Sequence, residues 1–296
     1  ALASWPHYDQ RQYYLFENHQ FKNPALADLY EPGSTFKTLT VSAGLDAGVI
    51  TPQTPCNKCS GPRKIGGYTI RTWNDEYSPG ISMTDALAKS DNTAMIFIAE
   101  NLGSKKFSQY MKDFGIGQKL DLDLQGDTDT PFPKKLGPVE LATTSFGQGV
   151  SLNSLQLVRA VATIANQGIM MKPSVIKSVY DPQTGETIEY QPQKVRQVIS
   201  AETAQKVTKM MVKAAQKGEA QWIGKDYLVA GKTGTSQIPS PDGGYKEDAT
   251  IASFIGFAPP SDPQFIMLVK LVEPQSSPWA AETAAPIWYQ LAQKLF

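Results

Sequence analysis

Three short motifs that can cooperate in acyl transfer stand in order along this chain: Ser34-Thr35-Phe36-Lys37, Ser90-Asp91-Asn92 and Lys232-Thr233-Gly234-Thr235. They supply a nucleophilic hydroxyl, an amine to take its proton, a second hydroxyl to relay that proton, and a cationic strand to hold an anionic substrate. Singly they carry little information. Ser-x-x-Lys recurs at Ser174-Val175-Ile176-Lys177, and Ser-x-Asn recurs at Ser151-Leu152-Asn153; only Lys-Thr-Gly is unique. Each also has a plain structural reading. Ser34 and the Ser90-Asp91-Asn92 group are good helix N-caps. Lys37 can be an exposed helix charge, and Lys232 a solvated lysine on a glycine-containing edge strand.

The flanking residues say which elements must position the motifs. Pro32-Gly33 is a turn signal, after which Phe36, Thr40, Ala43 and Ala47 recur at helical spacing and Gly48 supplies a stop. A helix over 33–47 puts Ser34 at its N-terminus and Lys37 one turn on, on the same face. Burial and the positive helix end both disfavour the ammonium form, leaving an amine able to accept the serine proton. The same helix end stabilises negative charge growing on a substrate carbonyl. Ser90-Asp91-Asn92 precedes an apolar helical run, Thr93 to Ala99, so a hydroxyl and an amide at a helix junction can face one cleft. There Ser90 can shuttle a proton and Asn92 can bond a substrate amide and hold the lysine. Tyr227 to Ser236 reads as a strand along which a peptide can lie, with Lys232 and a threonine hydroxyl on its carboxylate. Backbone N–H groups near Thr235 and Ser34 suit an oxyanion hole. The duplicate at Ser174 reads as strand and the one at Ser151 as a helix cap.

With these flanks, Tyr30-Glu31-Pro32-Gly33-Ser34-Thr35-Phe36-Lys37 resembles the nucleophile motif of class B, monofunctional penicillin-binding proteins. Lys232-Thr233-Gly234-Thr235-Ser236-Gln237, Ala252 to Pro259, Phe146-Gly147-Gln148-Gly149-Val150-Ser151, Leu155 to Ala160 and Ala165-Asn166-Gln167-Gly168 resemble the same group. The similarity runs through nearly the whole chain and is strongest to the cell-division (septal) type, then the elongation type. It implies an α+β transpeptidase fold of the penicillin-binding and serine β-lactamase kind. It also implies D,D-transpeptidase activity on peptidoglycan stem peptides, with β-lactams as inhibitors. By resemblance Ser34 is acylated, Lys37 is its base, and Ser90 and Asn92 complete the relay and substrate contacts. Lys232, Thr233 and Thr235 recognise the terminal carboxylate, and Gly234 keeps the strand accessible. Trp73, seventeen residues before Ser90, is a candidate cleft wall or an ordinary core or surface tryptophan. No metal or organic cofactor is expected.

Family members carry a membrane anchor and an N-terminal pedestal ahead of the point where Ala1 stands. The expectation is therefore an excised catalytic domain of an enzyme on the outer face of the bacterial cell membrane, meeting division or elongation proteins through other parts. No run reaches the roughly 18–20 apolar residues of a membrane span, and no signal peptide is visible. The 296 residues include 28 basic and 28 acidic ones. That balance gives no nucleic-acid or membrane-surface footprint. The length suggests two lobes within one transpeptidase domain, 1–296. A sheet lobe is expected from about 1–50 and 226–296, and a helical lobe with small ribbons over about 51–225. Residues 1–5 read as a strand sharing a sheet with strands at 227–236, 250–258 and 264–273. Pro241-Asp242-Gly243-Gly244 marks a hairpin turn, and residues 278–296 read as a terminal helix interrupted near Pro286.

Cys56-Asn57-Lys58-Cys59 suits zinc poorly, because four ligands are usual and His7 and His19 are distant. It suits redox catalysis poorly for want of a βαβ pattern. A structural disulfide in an extracytoplasmic loop is expected, with reduced thiols as the alternative.

Two other functional classes remain open. Class D β-lactamases carry Ser-Thr-Phe-Lys and Lys-Thr-Gly, but with a Ser-x-Val second motif where this chain has Ser90-Asp91-Asn92. The class A glutamate segment is absent, and without a dedicated deacylation base the acyl-enzyme formed with a β-lactam is expected to be long-lived; a β-lactam sensor or a class D-like β-lactamase is the alternative. A catalytically silent scaffold is the other alternative, since fold alone does not imply activity.

Overall fold

The computed structural model describes residues 1–133, 135–218, 228–240 and 242–295. After two short 3-10 turns, Gln10–Leu15 and Asn18–Phe21, comes a one-turn helix α1 (Pro24–Ala27). The expected helix at 33–47 is present as a 3-10 turn, Gly33–Phe36, running into α2 (Lys37–Asp46). Every residue from Lys37 to Leu45 is buried, so α2 is the central post of the molecule. It is hydrophobic or small on all sides, as a helix surrounded by others must be. Gly48, at φ +68°, ends it.

A small hairpin, β1 (Arg63–Ile65) and β2 (Tyr68–Ile70), precedes α3 (Met83–Ala88) and α4 (Asn92–Asp113). Next come α5 (Pro138–Thr144) and α6 (Ser154–Ala165), then four short strands. β3 (Ile169–Lys172) pairs with β6 (Gln193–Gln197), and β4 (Ser178–Tyr180) pairs with β5 (Thr187–Glu189). The long helix α7 (Ala201–Gly218) packs on α2, α3 and the main sheet. That sheet is antiparallel, in the order β7 (Ala230–Pro239), β8 (Tyr245–Ala258), β9 (Phe265–Val272), and it is followed by α8 (Ala284–Ala292). The helical middle with small ribbons extends through 218; residues 219–225 of the span expected for it, and Tyr227 of the expected strand, lie outside the described residues, as does Pro241 of the hairpin turn. Gly243 and Gly244 take φ +93° and +72° there.

The sheet separates two apolar cores, and β8 shows why. Its side chains alternate across the pleat. Ile251, Ile255 and Phe257 enter the main core around α2, α4 and α7, while Ala252, Phe254 and Ala258 meet α8 through Ala285, Trp288 and Tyr289. Trp288 is fully buried, stacks edge-on against Phe254 (5.1 Å between centroids) and donates its indole N–H to Met267 O.

Two details of the terminal segments differ from expectation. Residues 1–5 form no strand: the first seven residues are exposed, Trp5 at 84%, and no described strand pairs with them. An apolar pattern of five residues cannot make a strand without a partner to take its backbone hydrogen bonds. Pro286 does not interrupt the last helix; it sits in its first turn, where a missing N–H loses nothing. The duplicate motif at Ser174–Lys177 precedes β4 rather than joining it, and Ser174 bonds locally to Ile176 O.

Candidate active site

Three sets of contacts bring the motifs to one place. The turn carrying Ser34 is the first. Gly33 takes φ +55°, a left-handed conformation that suits glycine. Its N–H donates to Gly147 O at 3.1 Å, and Tyr30 and Leu152 exchange backbone bonds in an isolated antiparallel bridge. The Gly147–Leu152 loop thus backs the residues leading to Ser34. Thr35 and Phe36 are buried and Ser34 is partly exposed, so the turn is anchored on both sides of the serine.

The second is the approach of β7 to this turn. A Cβ added at Gly234 would lie 2.8 Å from Thr35 Cγ2 and 2.9 Å from Pro32 O, and one at Gly33 would lie 3.2 Å from Thr235 O. The strand and the turn therefore meet at a distance only glycine permits. Along β7, alternation puts Lys232, Gly234 and Ser236 on the face toward the turn. Lys232 is buried, with Nζ donating to Thr233 O (3.0 Å) and Thr233 Oγ1 (3.2 Å). Thr235 Oγ1 accepts from the N–H of Ala280, which ties the strand to the segment before α8.

The third is the junction between α3 and α4. Lys37 is 1% exposed, and its Nζ lies 2.6 Å from Ser90 O and 3.0 Å from Ser90 Oγ. Ser90 is held at φ +57°, a costly conformation for a residue with a Cβ, which persists only when its surroundings enforce it. Here it turns both the carbonyl and the hydroxyl to the amine. Asp91 enforces the junction: its buried carboxylate accepts from Thr93 N, Ala94 N and Thr93 Oγ1 and caps α4. The Asn92 amide donates to Arg71 O at 2.8 Å, so Asn92 steadies the Arg71–Trp73 loop while Ser90 holds the lysine. Asn153, in the second Ser-x-Asn sequence, caps α6 in a reciprocal pair with Gln156.

Electrostatics make Lys37 an unusual amine. Burial pushes its pKa well below that of an ordinary lysine, the nearby Lys232 charge pushes the same way, and the Asp91 carboxylate partly opposes them. A lysine so placed is a better candidate proton acceptor than an ordinary, solvated one. Trp73 is 60% exposed, donates its indole N–H to Lys89 O at 3.3 Å, and meets Trp279 edge-on at 5.4 Å. Trp73 stands beside the Ser90 junction, and Trp279 precedes the Ala280 N–H that binds Thr235. The pair spans the two sides of the site.

Asp91 and Trp279 were not singled out as site residues from the sequence. Asp91 could have been, as an acid at a helix start beside two candidate groups. Trp279 offers no signal, because what places it is a contact across about 200 residues. Among the described residues no group of three or more His, Cys, Asp or Glu could hold a metal ion, and no helix is long and apolar enough to cross a membrane. Cys56 and Cys59 are joined as a disulfide with Cα atoms 5.5 Å apart, both sulfurs buried.

The chain matches the penicillin binding protein transpeptidase domain family over residues 1–293. It is 35% identical to stage V sporulation protein D of Bacillus subtilis over 97% of this chain and 45% of that protein. It is 29% identical to the probable peptidoglycan D,D-transpeptidase PenA of Neisseria flavescens over 98% of this chain and 70% of that one. The fold is similar to penicillin binding protein 3 of Mycobacterium tuberculosis complexed with ampicillin, with a TM-score of 0.85, 28% identity, and coverage of 93% of this chain and 64% of that one. This chain thus spans less than half the length of the sporulation relative. With a serine turn, a buried lysine, a serine-asparagine junction and a lysine-threonine-glycine strand meeting in an α+β fold of this kind, the chain belongs to the penicillin binding protein transpeptidase domain family.

Proposed function

We propose that this chain is a serine D,D-transpeptidase that cross-links peptidoglycan stem peptides through an ester on Ser34 and is trapped there by β-lactams. The observation that carries the reading is the Lys37 amine, buried, depressed in basicity and 3.0 Å from a second hydroxyl, Ser90 Oγ. The donor's terminal D-Ala-D-Ala lies along β7, with its carboxylate on Lys232, Thr233 and Thr235. Gly234 allows its backbone to come close, and Asn92 takes a substrate amide. Ser34 Oγ attacks the penultimate carbonyl while Lys37 Nζ accepts the hydroxyl proton. Backbone N–H groups of Ser34 and Thr235 stabilise the oxyanion. As the C–N bond breaks, the proton passes through Ser90 to the departing D-Ala amine. An acceptor amine from a neighbouring stem peptide then attacks the ester; Lys37 takes a proton from that amine and returns it to the Ser34 oxygen as the ester C–O bond breaks, leaving an amide cross-link and a free Ser34 hydroxyl. Trp73, with Trp279, walls the cleft. The reading also places the site outside the cytoplasmic membrane, where the Cys56–Cys59 disulfide is chemically at home.

Intact-protein mass spectrometry after incubation with a penicillin tests this. The expected result is a stable one-to-one adduct that is lost in Ser34→Ala and kept in Ser174→Ala. Rapid release of hydrolysed drug would make the chain a β-lactamase, and absence of any adduct would make it a silent scaffold.

A further inference from the structure

Among the described residues two acidic side chains are buried, Asp91 and Glu31. Asp91 caps α4. Glu31, three residues before Ser34, is 8% exposed and is not used by the acyl-transfer chemistry above. Its two oxygens go to different elements. Oε1 accepts from Gly149 N at 2.9 Å, in the loop behind the serine turn, and Oε2 accepts from Tyr245 Oη at 3.0 Å, at the start of β8. Tyr245 pairs with Pro239 at the far end of the β7–β8 hairpin, beyond Lys232-Thr233-Gly234-Thr235 on the same strand. In the pair the phenol donates and the carboxylate accepts. Burial raises the Glu31 carboxyl pKa, while Gly149 N–H and Tyr245 Oη–H draw it back. The Tyr245 phenol, pushed up to about 12 by burial and the Glu31 charge, keeps its proton.

We propose that Glu31 is a positioning residue for acylation, tying the serine turn at once to the Gly149 loop and to the far end of the β7–β8 hairpin, and so fixing Ser34 against the substrate-binding strand. Gly33 and Pro32 also approach Thr235, Ser236 and Gly234 closely across this boundary. Close approach resists compression, and the directional hydrogen bond from Tyr245 to Glu31 adds resistance to sliding of the strand along the turn. A carboxylate accepts both bonds with its charge behind them, whereas glutamine of the same size offers one neutral oxygen and an amide N–H, so the tie to one partner loses its charge assistance and the tie to the other must reverse direction.

The proposal rests on the acyl-transfer reading, and the experiment separates the two. Stopped-flow acylation by a fluorescent penicillin resolves the binding constant from the acylation rate constant in wild type, Tyr245→Phe, Glu31→Gln and the double variant. The expected result is a drop of about tenfold in the rate constant for Tyr245→Phe, as for loss of one hydrogen bond to a charged group. The drop for Glu31→Gln should be at least as large, with the binding constant within about twofold of wild type. The double variant should be no worse than Glu31→Gln, because both changes remove one shared interaction. A wild-type acylation rate in Tyr245→Phe, or losses that multiply in the double variant, would overturn the positioning role while leaving acyl transfer standing. A wild-type protein that forms no adduct overturns both. Should Glu31→Gln not fold, Tyr245→Phe still decides, since it removes one hydroxyl from a half-buried ring and its rate constant alone supports or refutes the role.

Discussion

Gly147→Ala tests how closely the serine turn must be held. Gly147 takes φ +85°, and a Cβ there would lie 2.8 Å from both Gly33 C and Gly33 N, and closer still to Gly33 O. These are backbone atoms, so no rotamer change relieves the contact. Carbon contacts settle near 3.5 Å or more, so the two segments must part by on the order of 1 Å, at the residue before the nucleophile. A left-handed alanine costs about 1–2 kcal/mol, and weakening the Gly33 N–H to Gly147 O bond adds about 1 kcal/mol. A total of roughly 2–3 kcal/mol lowers the melting temperature by about 3–5 °C for a chain of this size. A displacement of that order near the reacting group slows chemistry by about a hundredfold. Gly48→Ala is the control: Gly48 has φ +68° but nothing within 4 Å of an added Cβ, so it carries the conformational cost without the clash. Penicillin acylation measured at 25 °C, with melting curves on the same samples, distinguishes the two. The expectation is that both variants lose stability but only Gly147→Ala loses acylation rate. Equal acylation rates in the two would refute the claim that backbone contact positions Ser34.

The Lys37 environment predicts a pH profile. The base must be neutral, and its pKa lies well below the ordinary value, so acylation should rise with pH through that lowered pKa and level off at a lower pH than an ordinary lysine base allows. A rate still climbing tenfold per unit through pH 9–10 would point to an ordinary lysine near 10.4. Because the Asp91 charge holds the Lys37 pKa up, Asp91→Asn should move the acid limb to lower pH while an oxygen still caps α4; an upward shift would contradict the assignment. The disulfide closes a short loop whose Cys56 exchanges backbone bonds with Ile81 and Gly80, ahead of α3. Its removal in a Cys56→Ser, Cys59→Ser variant should cost about 2 kcal/mol by loop-closure entropy and leave acylation at 25 °C intact. A thiol count on denatured protein prepared without reductant should be zero, and two free thiols would sink it.

Much of the fold was legible because its signals are local. Pro32-Gly33 followed by helical spacing marked the serine turn and α2, and alternation with Pro-Gly punctuation marked β7 to β9. The failures were of partnership. Residues 1–5 look like a strand, yet pairing is not a local property, and Trp5 ends in solvent. Pro286 looks like an interruption until the helix start is known. Asn92, expected to bond a substrate amide and hold the lysine, also donates its side-chain amide to Arg71 O, a contact set by how the loop before α3 folds back and named by no motif.

What the sequence alone determined is the kit: a serine and a lysine one helical turn apart, a serine and an asparagine at a helix start, and a glycine-bearing cationic strand, each in flanks that match one family. Spacing of three or four residues on a helix is a matter of covalent geometry, so that much needs no tertiary structure. The tertiary structure decided the chemistry of the kit. It surrounded α2 on all sides and thereby lowered the Lys37 pKa, forced Ser90 into a left-handed conformation beside it, and brought Gly234 against Thr35 across about 200 residues. It also gave Glu31 two partners that no motif names. Desolvation and close approach depend on what the rest of the chain places around a residue, and only the folded chain supplies that.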